Sequence, residues 1–553
     1  MTVYFEIDAL LKIALQSTLG SLGKDLKGSE NTFLERTQDQ INGDFATSLP
    51  LKICKPLKLP PIELATRIAS KIPKSPLISK IEVAKPGFIN FFLDQNWISL
   101  QLNTVIKKNR QYGETKSGKN KKVQIEFVSV NPTGPLHIGH VRGAVFGSTL
   151  SNVMKAAGFD VQQEYYVNDA GNQMSNFFES VYARWLQINN QDAHVPEEGY
   201  HGEYLVHVAE IISKSIPYSS DTENMLEIVG TEGLNIILEI IKSELSSLGI
   251  EFDNWFSEKS LYDNGQYEKI LDILYQKGNL IEKDGAKWFT STKFDDSRDN
   301  VVVRSSGTAT YFATDIAYHY NKFAERKFDL VIDIWGADHQ GHINRMKGAM
   351  QAIGINPDRL NIITTQMVSI KNQNRRIKLS TRKNQLVTLK ELLDIVGPDA
   401  CRFFFISRSP ESQMEFDINL ATKASNDNPV YYIQYAHARA SNILRNADEQ
   451  NVNYSQYDLT LLNSDPEILL IKKILMLPEL IDSMALYQQP HHLPHYTLEL
   501  ANKFHSFYEK CRVVSNVKEE LDISKARLQL VQAAKITLKK CLDLMGMSAP
   551  DKM

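Results

Sequence analysis

The sequence predicts an α/β protein, a Rossmann-like parallel-sheet domain with an α+β domain before it and an all-α helical bundle after it. Three observations carry this. A β-branched and aromatic run, VQIEFVSV (123–130), leads through a Gly/Pro turn into a helically spaced stretch (141–159), and VQQEYYV (161–167) follows as a second strand. Strand, turn, helix, strand is the order of a βαβ unit. Upstream, KIEVAKPGFINFFL (80–93) alternates around a Pro-Gly turn as a hairpin does. Downstream of about 410 every periodic stretch is helical.

Taken in order, residues 1–115 join an amphipathic first helix to that hairpin. The basic stretch 116–122 reads as a linker. GETKSGKN (113–120) nearly spells a phosphate loop, but Asn120 replaces the metal-holding Ser/Thr and the stretch precedes a strand. Residues 116–409 form the sheet domain, with further strands at LVIDIWGADH (330–339) and LNIITTQMVSI (360–370) and a mostly helical insertion at about 175–290. Residues 410–553 form the bundle, from four helices at 428–447, 466–486, 495–514 and 525–546.

Composition excludes several function classes. Lys plus Arg is 62 and Asp plus Glu 65, a net charge of −3, which excludes a wholly basic nucleic-acid coat but allows a local basic groove. At 42% hydrophobic the chain is not a disordered one. Cys54, Cys401, Cys511 and Cys541 stand far apart with no C-x-x-C pair, so no zinc, no disulfide scaffold and a reducing cytoplasm are expected. Glu6 and Asp8 stand where a signal peptide would carry lysines. No apolar run approaches about 20 residues, so no membrane span is expected.

The chemistry concentrates at Pro135-Leu136-His137-Ile138-Gly139-His140, between a strand and a helix. An H-x-G-H word arises by chance only about 0.02 times in a chain of this composition, so coincidence is a poor explanation. Two histidines three apart share a face at a helix start, whose free N–H groups favour an anion. Together they can grip a phosphoryl group, while Gly139 leaves room for a flat base. A second signal is KNQNRRIKLSTRK (371–383), six positive groups with no acid, suited to neutralising a pyrophosphate leaving group. Beyond these, Gly336 and Asp338 lie at the end of a predicted strand, the edge where doubly wound sheets bind ligands.

These residues resemble the signature motifs of the class I aminoacyl-tRNA synthetases: His137 to His140 matches "HIGH", and Lys378-Leu379-Ser380-Thr381-Arg382 is similar to "KMSKS". EFVSVNPTGPLHIGHVRGAVFG, YVNDAGNQM, WGADHQGH, NPVYYIQYAHAR, FHSFYEKCRV and LDLMGMSAPDKM are similar to the arginyl-tRNA synthetases, from the N-terminal domain to the last residue. Thr381 departs from the family's lysine, with Arg382 and Lys383 the neighbouring charges.

The resemblance implies an arginine–tRNA ligase: ATP-dependent formation of arginyl-adenylate, then transfer to the 2′-OH of the terminal ribose of tRNA(Arg). His137, His140 and Lys378 are the expected catalytic groups. ATP is expected against Pro135 to His140, Gly336, Asp338, Lys378, Ser380, Arg382 and Lys383, with Mg²⁺ accompanying it. A guanidinium reader needs carboxylates placed for forked hydrogen bonds. The family's arginine site falls on Glu126, Asn131, Tyr311, Asp315 and His339, with Asn131 on the α-amino group and Tyr311 and Asp315 on the guanidinium. Bases are read by stacking and by Arg or amide contacts, and Tyr431, Gln434, Arg439 and Arg512 are the expected tRNA contacts in the bundle. The N-terminal domain is expected at the tRNA elbow. A monomer is expected. The alternatives are another class I synthetase or nucleotidyltransferase, and a tRNA-binding paralogue without catalysis.

Overall fold

The computed structural model describes residues 3–24, 31–37, 39–218, 224–372, 375–377, 380–381, 385–450, 452, 454–515 and 517–553. Helix Val3–Ser21 buries Val3, Ile7, Leu11 and Leu15, a stripe at helical spacing. It accompanies an antiparallel sheet of β1 (Leu34–Arg36), β2 (Phe45–Thr47), β3 (Ile78–Ala84) and β4 (Phe88–Leu93), in the order β1-β2-β4-β3. The hairpin turns at Pro86-Gly87, with Ala84 opposite Phe88, as the alternation predicts. This unit is pinned to the bundle by Arg36, whose Nε and Nη2 donate to Glu479 at 2.9 and 2.7 Å.

Five parallel strands form the central sheet: β5 (Lys122–Glu126), β6 (Asp160–Val167), β7 (Asn254–Ser257), β11 (Leu330–Gly336) and β12 (Leu360–Thr365), ordered β12-β11-β5-β6-β7. Between β7 and β11 the chain makes a small antiparallel sheet of β8 (Leu280–Lys283), β9 (Ala286–Phe289) and β10 (Asn300–Val303). After β7 the chain returns to the other side of β5, so the strand order reverses between β5 and β11. That reversal opens a crevice at the strands' C-terminal ends.

Three sequence readings need correction. The 175–290 stretch is not all helical: between helix Met225–Ser247 and helices Lys259–Asp263 and Gln266–Gln276, Asn254–Ser257 is the outermost strand of the main sheet, too short to stand out by periodicity. The 360–370 run is two strands in different sheets: β12, then β13 (Val368–Asn372), which pairs with Met414–Asp417. The 466–486 helix is two, Asp465–Leu475 and Leu477–Tyr487. Pro478 falls in the first turn of the second, where its missing N–H costs nothing. The bundle therefore has five helices among the described residues, with Pro429–Glu449, His492–Lys510 and Leu521–Met545.

Buried Arg402 ties the layers together. Its guanidinium donates to the Leu248 carbonyl at 2.8 Å, to Ser148 Oγ at 2.9 Å and to the Met545 carbonyl. Among the described residues no helix is long and apolar enough to cross a membrane.

Candidate active site

The turn after β5 feeds helix Ile138–Ala156, and the two histidines cap it. His137 Nδ1 accepts from the Gly139 amide at 3.1 Å, and His140 Nδ1 accepts from the His137 amide at 3.3 Å. The rings lie 3.5 Å apart between centroids. Because each Nδ1 accepts, each proton sits on Nε2. Burial pushes both imidazoles down, His140 to about 3 with His137 as the second cause. At neutral pH the pair therefore offers two uncharged Nε2–H donors, and the positive character comes from the helix N-terminus. Gly139 is required by the close packing of this cap, since a Cβ there would stand 2.9 Å from the His137 ring.

The loop is clamped on several sides. Leu136 N donates to Glu244 Oε2 at 2.9 Å, and Tyr204 donates to the Thr133 carbonyl, both from insertion helices. Ile138 N donates to the Val387 carbonyl at 3.0 Å, and Leu389 N to the Leu136 carbonyl at 2.9 Å. Leu136 and Ile138 bury their side chains in the core, so only their backbone atoms can serve a ligand.

At the crevice a cleft of about 560 Å³ is lined by Glu126, Asn131, Gly139, His140, Tyr311, Asp315, Gly336, Asp338 and His339. Nine positions predicted from three separate sequence segments thus share one cavity; Pro135 and His137 are not among its lining residues. Val128 and Ser129, also lining it, take φ of 70° and 41°. A β-branched residue in the left-handed region costs roughly 1–3 kcal/mol, and such strain collects at functional sites. The turn is held open by Ser129 Oγ, which accepts from Tyr166 N at 3.1 Å, and by Tyr165, whose hydroxyl donates to the Val130 carbonyl at 2.9 Å.

The acids in and behind the cleft differ in kind: Glu126 and Asp315 line it, and Glu258 is buried beyond its lining. Glu126 is 8% exposed and accepts from Lys322 Nζ at 2.6 Å, so its charge is already matched. Asp315 is pushed up to about 7, first by burial and then by Glu126 and Asp333, with His319 pulling the other way. Glu258, just past β7, is also pushed up to about 7, first by burial and further by Asp315 and Asp169, against a hydrogen bond from Thr314. Neither of these two neighbouring carboxyls makes a salt bridge among the described residues, and the more distant His319 and Lys322 offset only part of the rise at Asp315. Sequence reasoning missed Glu258, because a single acid in NWFSEKSLY resembles a surface residue. No local signal marks it, because the strand it follows is itself defined only by pairing with β6.

Other predicted residues sit as follows. The Asn131 amide donates to Gln173. His339 is exposed, 3.4 Å from Asp338. Lys378, Arg382 and Lys383 lie outside the described residues, as does the side chain of Ser380, whose backbone pairs as Ser380–Thr381 with Gln385–Leu386. At the base of that loop Lys371 stands 3.8 Å from Asp417 and 3.9 Å from Glu415.

In the bundle, Arg439 lies between the rings of Tyr435 and Tyr508, at 4.5 and 4.8 Å, and Tyr431 stacks on Tyr435. Arg512 is exposed, 3.9 Å from Glu520. Gln434 is different: it is buried and donates to Asp399 at 2.7 Å and to the Ser548 carbonyl at 3.1 Å, tying its helix to the C-terminal tail. Among the described residues no group of three or more His, Cys, Asp or Glu forms a metal cage.

Comparison with known proteins bears on the same three regions. Residues 101–403 match the family model "tRNA synthetases class I (R), catalytic domain", residues 7–93 the "Arginyl tRNA synthetase N terminal domain", and residues 433–553 the "DALR anticodon binding domain". The chain is 49% identical over 527 residues to an arginine–tRNA ligase of Dehalococcoides mccartyi, covering 94% of each chain. It is 44% identical to one of Caldanaerobacter subterraneus, covering 94% of this chain and 93% of that one. The Thermus thermophilus arginyl-tRNA synthetase structure superposes with a TM-score of 0.77 at 21% identity, over 98% of this chain and 99% of that one, and so shares the fold.

Proposed function

The chain belongs to the arginyl-tRNA synthetase family, and from that premise we propose how its own residues divide the work. It is an arginine–tRNA ligase, with arginine, ATP and tRNA as substrates. Arginine lies along the cleft with its guanidinium toward Asp315, Glu258 and Tyr311 and its α-amino group toward Asn131 and Glu126. A guanidinium is always charged and offers a planar fork of donors, which suits two adjacent acids that make no salt bridge among the described residues. ATP enters as its magnesium complex, with its base and ribose near Gly336, Asp338 and His339 and its α-phosphate by the histidine cap.

The arginine carboxylate attacks the α-phosphorus, and the bond to the β-phosphate oxygen breaks. The Nε2–H groups of His137 and His140 donate to the phosphoryl oxygens as charge builds. Lys378, Ser380, Arg382 and Lys383 hold the departing pyrophosphate. The terminal 2′-OH of tRNA then attacks the mixed anhydride and AMP leaves. Positioning and electrostatics carry the rate, with no covalent enzyme intermediate.

Residues 1–115 contact the tRNA elbow, 116–409 perform the chemistry and 410–553 read the anticodon through Tyr431, Arg439 and Arg512, with Gln434 holding that helix in place. The protein acts in the cytoplasm as a monomer. The observation that carries the reading is that His140 of the helix cap and the cation-seeking Asp315 line one cleft at the sheet's switch point, with Glu258 acting on Asp315 from behind it. Arginine-dependent ATP–pyrophosphate exchange in the presence of tRNA tests it. Exchange with arginine and none with lysine, cysteine or glutamate is expected; absence of exchange by folded, tRNA-saturated protein overturns it in favour of the paralogue.

A further inference from the structure

Helix Tyr311–Tyr320 and the π-helical turn Asn321–Glu325 that extends it carry a polar stripe at helical spacing: Tyr311, Asp315, His319 and Lys322. The last two are buried, at 3% and 0% exposure, far from any need to meet solvent. His319 Nδ1 lies 2.7 Å from the Asp315 carbonyl oxygen, and its Nε2 lies 2.7 Å from Asp333 Oδ2. The ring thus bridges the backbone of its own helix to the strand carboxylate. Asp333, in the middle of β11 and fully buried, turns its other oxygen to Lys322 Nζ at 2.9 Å. Lys322 Nζ then reaches Glu126 Oε2 at 2.6 Å and sits 4.1 Å above the Tyr318 ring.

The result is one continuous chain from the backbone of Asp315 through His319, Asp333 and Lys322 to Glu126. Lys322 is shared between the two acids Asp333 and Glu126, and His319 bridges Asp333 to the Asp315 backbone, so each buried charge has a partner, the condition under which buried ions are tolerated. Its two ends are the residues assigned above to opposite ends of the arginine substrate. π-Turns of this type recur at functional sites, and here the turn carries Lys322 on the same stripe as His319.

We propose that His319, Asp333 and Lys322 are positioning residues that fix the separation between the guanidinium end and the α-amino end of the amino-acid site, and so set the side-chain length the enzyme accepts. This rests on the placement of arginine between Asp315 and Glu126. None of the three needs to touch substrate; they act through the two residues that do. A hydrophobic pocket separates homologues differing by one methylene by only about 10- to 200-fold. A span fixed by a buried ionic chain is a means of holding that discrimination.

The test is the charge-balanced double variant Lys322→Met/Asp333→Asn, which removes one cation and one anion. Exchange kinetics are measured with arginine, with homoarginine (one methylene longer) and with 2-amino-4-guanidinobutanoate (one shorter), and ATP is varied separately. The expected result is an arginine KM raised about tenfold or more, an ATP KM within about twofold, and the preference for arginine over both homologues reduced about fivefold or more. Equal rises in the arginine and ATP KM values with unchanged preference would mean general loosening and overturn the proposal, as would an unchanged arginine KM. His319→Gln, which keeps an amide donor toward Asp333 but gives up the bond to Asp315, is the second variant and should reproduce a smaller loss of preference. Asp315→Asn separates the failures. If it leaves the arginine KM unchanged, the arginine site itself is misplaced; if it raises that KM while the other variants stay silent, only the positioning chain is wrong.

Discussion

Asp315→Asn should stabilise the free enzyme while disabling it. Burial raises this carboxyl from 3.8 to about 7, and each pKa unit corresponds to 1.36 kcal/mol. The folded state therefore binds the proton more tightly than the unfolded chain does. The sign follows from linkage: stability falls as pH climbs from about 4 to about 7 and does not recover above it. At pH 8 the ionised Asp315 costs the ligand-free protein up to about 4 kcal/mol, a ceiling set by the size of the shift. Asparagine keeps the shape and removes the charge. Thermal unfolding of both proteins, followed at pH 5 and pH 8 without substrates, should show the variant's midpoint gaining on the parent's mainly at the higher pH. Arginine KM should rise roughly 10- to 100-fold, the value of a charge-assisted hydrogen bond, with ATP KM unchanged. A variant no more stable at pH 8, with arginine KM unmoved, would refute the claim that this buried acid waits for a cation.

Arginine KM itself should climb as pH falls below about 7, since Asp315 and Glu258 must give up their protons to receive the guanidinium, while ATP KM stays level; a flat arginine profile between pH 5.5 and 7.5 would contradict this. His140→Ala should lower exchange by about 100-fold with tRNA affinity retained, and an unchanged rate would remove that Nε2–H from the chemistry. Glu244→Ala should slow exchange by about tenfold because the Leu136 amide loses its acceptor, whereas Glu244→Gln, which can still accept, should restore most of the rate. Gly139→Ala should impair exchange at full expression, because its methyl meets the His137 ring at 2.9 Å; wild-type kinetics would show the cap to be adaptable.

Much of the site was legible because its residues sit where sequence patterns are strongest. A β-branched run, a Gly/Pro turn and a helical period flank His137 and His140, so placing them at a helix start needed only local rules. Glu126 and Asp315 followed from the resemblance, and the fold brings them to one cavity. What escaped was set by long-range packing. Strand β7 has four residues, below the length at which alternation registers, and only its pairing with β6 makes it a strand. Glu258 takes its meaning from that strand.

Lys322 looks like a solvent lysine in YNKFAER until the fold turns it inward onto two acids. Yet one clue was open to reading. Asp333 interrupts the apolar run LVIDIW, and an acid in a buried strand needs a cation. The stripe at 315, 319 and 322 supplies that cation at helical spacing. Gln434 shows the converse, since an aromatic-rich helix suggested a surface contact and packing made it an internal tie.

The most direct measurement is a structure of the protein with a non-hydrolysable arginyl-adenylate analogue bound. The account predicts the guanidinium about 3 Å from the carboxylates of Asp315 and Glu258, and the phosphoryl oxygens within the same reach of Nε2 of His137 and His140. An analogue lodged outside the cleft between β5 and β11, or one with its guanidinium turned toward the histidines, would contradict it.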